Sequence, residues 1–150
     1  MFSDQDKKEA IQRSTIKFEQ HGYSQKSLGW DKGKQEIRFD VLTSLWSFKE
    51  ASILDLGCGF GDFFAFASAK FGSIGEYTGY ELVESLANQG RELYDHHSNF
   101  NIINSSIDEW EETCSFDYTI ISGLFNFKLE GGAEANYEFI RHTLTKAMAS

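Results

Sequence analysis

A chain of 150 residues, 41% hydrophobic and 15% aromatic, can bury the core of one globular domain and leaves little room for a second. Its formal charge of −9 argues against nucleic acid or an anionic membrane as partner, because no dense basic patch offsets it; the richest stretch, Lys26 to Lys34, is broken by Gly29, Trp30 and Asp31. Cys58 and Cys114 make neither a CxxC pair nor a disulfide framework, no apolar run approaches a membrane span, and the N-terminus is polar, so a cytoplasmic protein is expected.

The chain has no proline, and its helices must therefore end on glycine and polar caps. Residues 4–20 suggest a polar helix with a thin apolar stripe at Ile11, Thr15 and Phe18. A glycine-containing connection leads to a helix expected over 35–48, where Ile37, Val41, Leu45 and Phe48 recur on one face. Residues 52–56 form a short apolar run ending in glycines and read as a buried strand. A Phe- and Ala-rich helix follows over 62–71, stopped by Gly72. A strand over 77–81 precedes a helix over 82–94, with Leu82, Leu86, Leu93 and Tyr94 inward. Strands over 101–104 and 116–122 come next, then a helix over 133–148 with Tyr137, Ile140, Leu144 and Met148 inward. This alternation predicts an α/β, Rossmann-like parallel sheet with helices on both faces. One domain over 1–150 is expected, made of N-terminal helices in 1–50 and an α/β core in 51–150.

The strongest motif joins the first strand to its helix: Asp55-Leu56-Gly57-Cys58-Gly59-Phe60-Gly61-Asp62. Glycines belong where the backbone turns sharply and a ligand lies against it. A dinucleotide loop, GxGxxG counted from Gly57, needs its third glycine at position 62, which is Asp62; a carboxylate there repels a pyrophosphate. Glu81 ends the next strand, 20 residues after Gly61, where a carboxylate can accept both hydroxyls of a ribose. Neither the four histidines nor the cysteines show metal-ligand spacing, and no metal is expected.

The Asp-x-Gly-x-Gly-x-Gly spacing resembles the first motif of class I S-adenosylmethionine-dependent methyltransferases, a resemblance that covers roughly residues 20–148. It implies S-adenosylmethionine as cofactor. Asp55 would then sit near the methionine amino group, while Gly57, Cys58, Gly59 and Gly61 would admit the methionine moiety and ribose. Glu81, with Leu82 beside it, would hold the ribose. The family's adenine pocket falls on Asn104–Asp108, where Ser105 or Ser106 stands in for the usual acid unless Asp108 takes that role. Ile107 would pack on the adenine, or Asp108 would cap a helix running through Glu111 and Glu112. The strand end at Ser122 would face the reactive methyl, and Asn126 is the side chain of 123–127 able to donate and accept, making it the candidate catalytic residue. Before the sheet, Tyr23 and Trp30 would close over the sulfonium, and Arg38, helped by Gln35, would pair with the methionine carboxylate. Trp30 packing on the core and Arg38 lying on a solvated face are the competing readings.

Full members of that family carry later strands without counterpart here, so the chain reads as ending after the fourth strand. Its uncovered sheet edge is then expected to favour self-association. The function implied is methyl transfer to a small-molecule acceptor, with a non-catalytic cofactor-binding module as the alternative and a nicotinamide-dependent oxidoreductase behind both. Glu81→Ala is expected to weaken donor binding and spare the fold.

Overall fold

The computed structural model describes residues 2–110 and 115–149; Glu111, Glu112 and Cys114 lie outside them. Four strands, β1 (Ile53–Leu56), β2 (Tyr77–Glu81), β3 (Phe100–Asn104) and β4 (Tyr118–Ile121), form one parallel sheet in the order β3-β2-β1-β4. Ile53 of β1 is level with Tyr77 on one side and Tyr118 on the other. β1 is buried along its whole length, as a central parallel strand covered on both faces must be.

The helices are α1 (Asp4–His21), α2 (Lys34–Leu42), α3 (Asp62–Phe71), α4 (Glu84–Tyr94) and α5 (Gly132–Ala147). On one face of the sheet Ile53 and Tyr77 pack with Phe39, Phe63, Phe64 and Phe100. On the other, Leu54 and Leu56 pack with Phe2, Ala10, Trp110 and Phe139. Phenylalanine therefore fills both layers, and its rings meet edge-to-face: Phe39 with Phe63 at 5.2 Å and 81°, and Phe64 with Phe100 at 4.9 Å and 64°. α4 can approach the loop after β1 because Gly90 has no side chain; a Cβ there would lie 2.5 Å from the Phe60 carbonyl oxygen.

Three expected inward faces differ from the structure. α2 stops at Leu42 rather than 48, where the Thr43 and Ser44 hydroxyls donate to the carbonyls of Phe39 and Val41. Its inner side is Gln35 and Phe39, while Ile37 (63% exposed), Val41 (67%) and Leu45 (81%) face out; only Phe48, beyond the helix, is buried as expected. α5 turns Phe139 and Thr143 inward, with Phe139 stacked on Phe2 at 5.1 Å, and leaves Tyr137, Leu144 and Met148 exposed. α1 buries Asp6 and Ala10 and exposes Ile11. In α2 and α5 the face that turns in is the one whose phenylalanine, Phe39 or Phe139, meets other aromatic rings.

Candidate functional site at the carboxyl ends of the strands

Beyond the carboxyl ends of all four strands lies a cavity of about 280 Å³. Its wall takes Gly57, Cys58 and Gly59 after β1, Glu81 and Leu82 at β2, Ser105, Ser106 and Ile107 after β3, and Ser122, Gly123 and Asn126 after β4. Open parallel sheets bind ligands at this end, where the chain reverses direction between strands.

The loop after β1 turns because the amides of Gly57 and Cys58 both donate to the Tyr80 carbonyl, at 2.9 and 3.1 Å. Gly57 and Gly59 have φ of 74° and 59°, a backbone hand that side chains disfavour. A Cβ at Gly57 would meet Leu124, and one at Gly59 would meet Leu28, so these two glycines form the floor of the cavity. Gly61 does not line it. By that point the chain has turned into α3, and the third glycine serves close packing against the Phe100 ring instead of a ligand.

Two buried carboxylates face this floor. Asp55 is 3% exposed and accepts a 2.7 Å hydrogen bond from the Tyr77 phenol. Burial pushes its pKa up to about 7, the phenol pulls the other way, and the charges of Glu81 and Asp62 add to the rise. Glu81 is 8% exposed; its Oε2 accepts from the Gly59 amide and its Oε1 from the Val83 amide, each at 2.8 Å. Its pKa too is pushed to about 7 by burial, with the Val83 and Gly59 amides opposing. The Cys58 thiol is buried and its pKa is raised well above the ordinary thiol value, chiefly by burial.

The N-terminal segment covers the cavity. Ser27, Leu28, Gly29 and Trp30 form one side of it, with Gln35 and Phe39 behind. Trp30 lines the cavity and also packs, its ring edge meeting Gly123. Arg38 is not on the cavity wall. Its guanidinium lies 4.4 Å over the Trp30 ring, and its buried Nε has no hydrogen-bond partner among the described residues. Tyr23 stands outside as well: its hydroxyl donates to Asp62 Oδ1 at 2.8 Å, beside the Tyr94 hydroxyl at 3.1 Å from the same atom, and its ring meets Phe60 edge-on. Tyr23 thus ties the covering segment to α3 instead of closing over a ligand. At the β3 end, Ser105, Ser106 and Ile107 face the cavity, while Asp108 pairs with Lys7 at 3.4 Å.

The cavity wall also takes residues of α1, which the sequence did not single out. Ala10, Arg13, Ser14 and Lys17 line the cavity at helical spacing, a pattern visible in the sequence once α1 is known to cross it. Among the described residues no group of three or more His, Cys, Asp and Glu side chains could hold a metal ion, and no helix is long and apolar enough to cross a membrane.

A family model described as a methyltransferase domain matches residues 53–145. No curated protein sequence matches the chain. Among solved structures it is similar to phosphoethanolamine N-methyltransferase 1 of Haemonchus contortus, with a TM-score of 0.61 and 16% identity over 79% of this chain and 26% of that one. It is also similar to a putative RNA methyltransferase of Pyrococcus horikoshii (TM-score 0.57, 20% identity, 78% and 53% covered). A third likeness is to the plantazolicin methyltransferase (TM-score 0.53, 17% identity, 95% and 56% covered). The chain spans between about a quarter and just over half the length of these proteins, and at such identities the likeness is one of fold. With most of its length under the family's model, and with the parallel sheet of the class I S-adenosylmethionine-dependent fold, the chain belongs to the methyltransferase domain family.

Proposed function

We propose that the cavity binds S-adenosylmethionine and presents its methyl group to a small-molecule acceptor. The observation that carries this reading is the pair of buried carboxylates, Asp55 and Glu81, on one cavity wall with the glycine floor. Two acids held near pKa 7 by burial suit a ligand bearing positive charge and hydroxyl donors, and oppose a pyrophosphate. The fit extends to single atoms: each Glu81 oxygen accepts one backbone amide, leaving acceptor capacity for a ribose hydroxyl.

S-adenosylmethionine supplies a methyl on a sulfonium that is already activated for in-line displacement. The protein's task is alignment, which can lower a barrier by roughly 7–11 kcal/mol. Glu81 holds the ribose, Asp55 attracts the amino group, Ile107 and Ser106 bound the adenine end, and Leu28 and Trp30 exclude water. Asn126, on the wall after β4, orients the acceptor's nucleophile. The net charge of −9 supports a small acceptor over a polyanion.

Calorimetry with S-adenosylmethionine, S-adenosylhomocysteine and NAD tests the reading. The first two are expected to bind and NAD to fail; binding of NAD alone overturns it. Donor binding without transfer to any acceptor of a broad panel favours a non-catalytic module. A carboxylate whose folded pKa is raised gives stability below its unfolded value that is lost as pH rises through the folded one. Asp55 and Glu81 therefore destabilise the free protein as pH climbs through about 7, and a cationic ligand relieves this. Donor affinity is accordingly expected to rise between about pH 6 and about pH 8, with proton release on binding. A flat profile removes both acids from the site.

Self-association belongs to the same proposal. Among the described residues the outer edge of β4 has no partner strand. Exposed Leu45 and Trp46 lead directly to Phe48, whose ring lies 4.2 Å from Tyr118 of that strand. Light scattering is expected to show a mass that grows with concentration; a constant monomer mass overturns it.

A further inference from the structure

Arg13 and Lys17 stand one turn apart on α1, and both face the cavity. They carry the cationic side chains of its wall. Among the described residues neither has a carboxylate within ion-pair distance. Two unpaired cations on the wall of a pocket, in a chain of charge −9, are a local reversal of the protein's field.

The position of Arg13 separates it from the acids, while the Lys17 Nζ lies beside Gly29, 3.3 Å from where a Cβ there would stand. Arg13 lies 4.7 Å over the ring of Phe127, next to Asn126 and beyond β4. Glu81 ends β2, and β1 stands between β2 and β4 in the sheet. A second cleft, of about 490 Å³, opens on the outer side of the same two cations and adds Lys128. Its two acids are occupied: Asp6 by the Ser3 hydroxyl and the Glu130 amide, Glu9 by the Gln5 side chain. The cations thus stand where the inner cavity meets the outer cleft, with Asn126 on the inner side.

We infer that Arg13 and Lys17 form an anion subsite for the acceptor, which enters by the outer cleft and carries a carboxylate or phosphate. The anion rests on the two cations, and the acceptor's nucleophile then points to Asn126. A guanidinium suits the planar oxygens of either anion, and the ammonium adds a second, mobile charge. This assignment rests on the reading of the Asp55 and Glu81 wall as the donor's end.

The test titrates inorganic phosphate and acetate, separately, into protein saturated with S-adenosylhomocysteine. It uses the native chain, the double variant Arg13→Gln/Lys17→Gln, and Lys8→Gln as a surface control. Native protein and control are expected to bind at least one anion, and the double variant to bind it at least about tenfold more weakly, with S-adenosylhomocysteine affinity unchanged. Preference for phosphate or for acetate identifies the acceptor's group. Failure of native protein to bind either anion overturns the subsite, as does equal binding by the double variant. Loss of S-adenosylhomocysteine affinity in the double variant assigns the cations to the donor's own carboxylate and overturns it too. If native protein fails to bind S-adenosylhomocysteine, the donor reading falls, and the anion titrations on free protein still decide whether the cations hold an anion.

Discussion

Glu81→Ala is expected to lower S-adenosylhomocysteine affinity by about 100-fold or more, because hydrogen bonds to a charged acceptor contribute about 1.5–3 kcal/mol each and a ribose offers two. Sequence alone suggested that the fold would be untouched. The structure changes that expectation. The carboxylate already serves the Gly59 and Val83 amides, and truncation leaves both donors without their acceptor. An unsatisfied buried amide costs about 1–3 kcal/mol. Part of this is offset above pH 7, where the native carboxylate carries its own desolvation penalty. Glu81→Gln separates the two roles. It keeps one oxygen for one amide, removes the charge, and is expected to lose most donor affinity while melting closer to the native chain. Calorimetry paired with thermal melts reads both quantities; native affinity in either variant takes Glu81 out of the site.

Phe39→Ala is expected to destabilise the protein by about 3–5 kcal/mol, whereas Ile37→Ala stays within about 0.5 kcal/mol. Phe39 is 5% exposed and its ring meets Phe63 and Phe66 at 5.2 and 5.3 Å. Ile37, two positions away, is 63% exposed. At about 2–4 °C per kcal/mol for a chain of this size, the first variant melts roughly 10 °C lower. Phe39 also backs the cavity, so its loss is expected to loosen donor binding as well. Denaturant titration of both variants checks the contrast; equal costs would return the apolar stripe of α2 to the core.

That contrast shows what could be read in the sequence. The strand–helix alternation led to the parallel sheet, because a run such as Ile53–Leu56, closed by glycines, has few other ways to bury itself. Strand β2 matches its expected bounds, 77–81, to the residue. Helix orientation was not legible. Ile37, Val41 and Leu45 satisfy helical periodicity as well as Gln35 and Phe39 do, and periodicity records spacing, not which face finds a partner. The site divides along the same line. Asp55, Gly57, Gly59 and Glu81 come together because strand ends fix them, and the sheet order follows from the chain. Tyr23 depends on how the segment between α1 and α2 settles on the sheet, and Arg38 on which face α2 turns inward, and contacts over long sequence separation decide both. Arg13 and Lys17 escaped notice because α1 looked like a solvated helix until it was seen to cross the strand ends.

Cys58 gives this arrangement a chemical clock. Its sulfur lies under β2, where a Cβ on Gly79 would come within 2.5 Å of it, and burial keeps the thiol protonated. Thiol reagents attack the thiolate and need access to it. Labelling of Cys58 therefore waits for the glycine loop to lift from β2, and in a Cys114→Ser background its rate measures how often the floor of the cavity opens in solution. A ligand seated on Gly57 and Gly59 would hold that floor down, so the same thiol would register occupancy as silence.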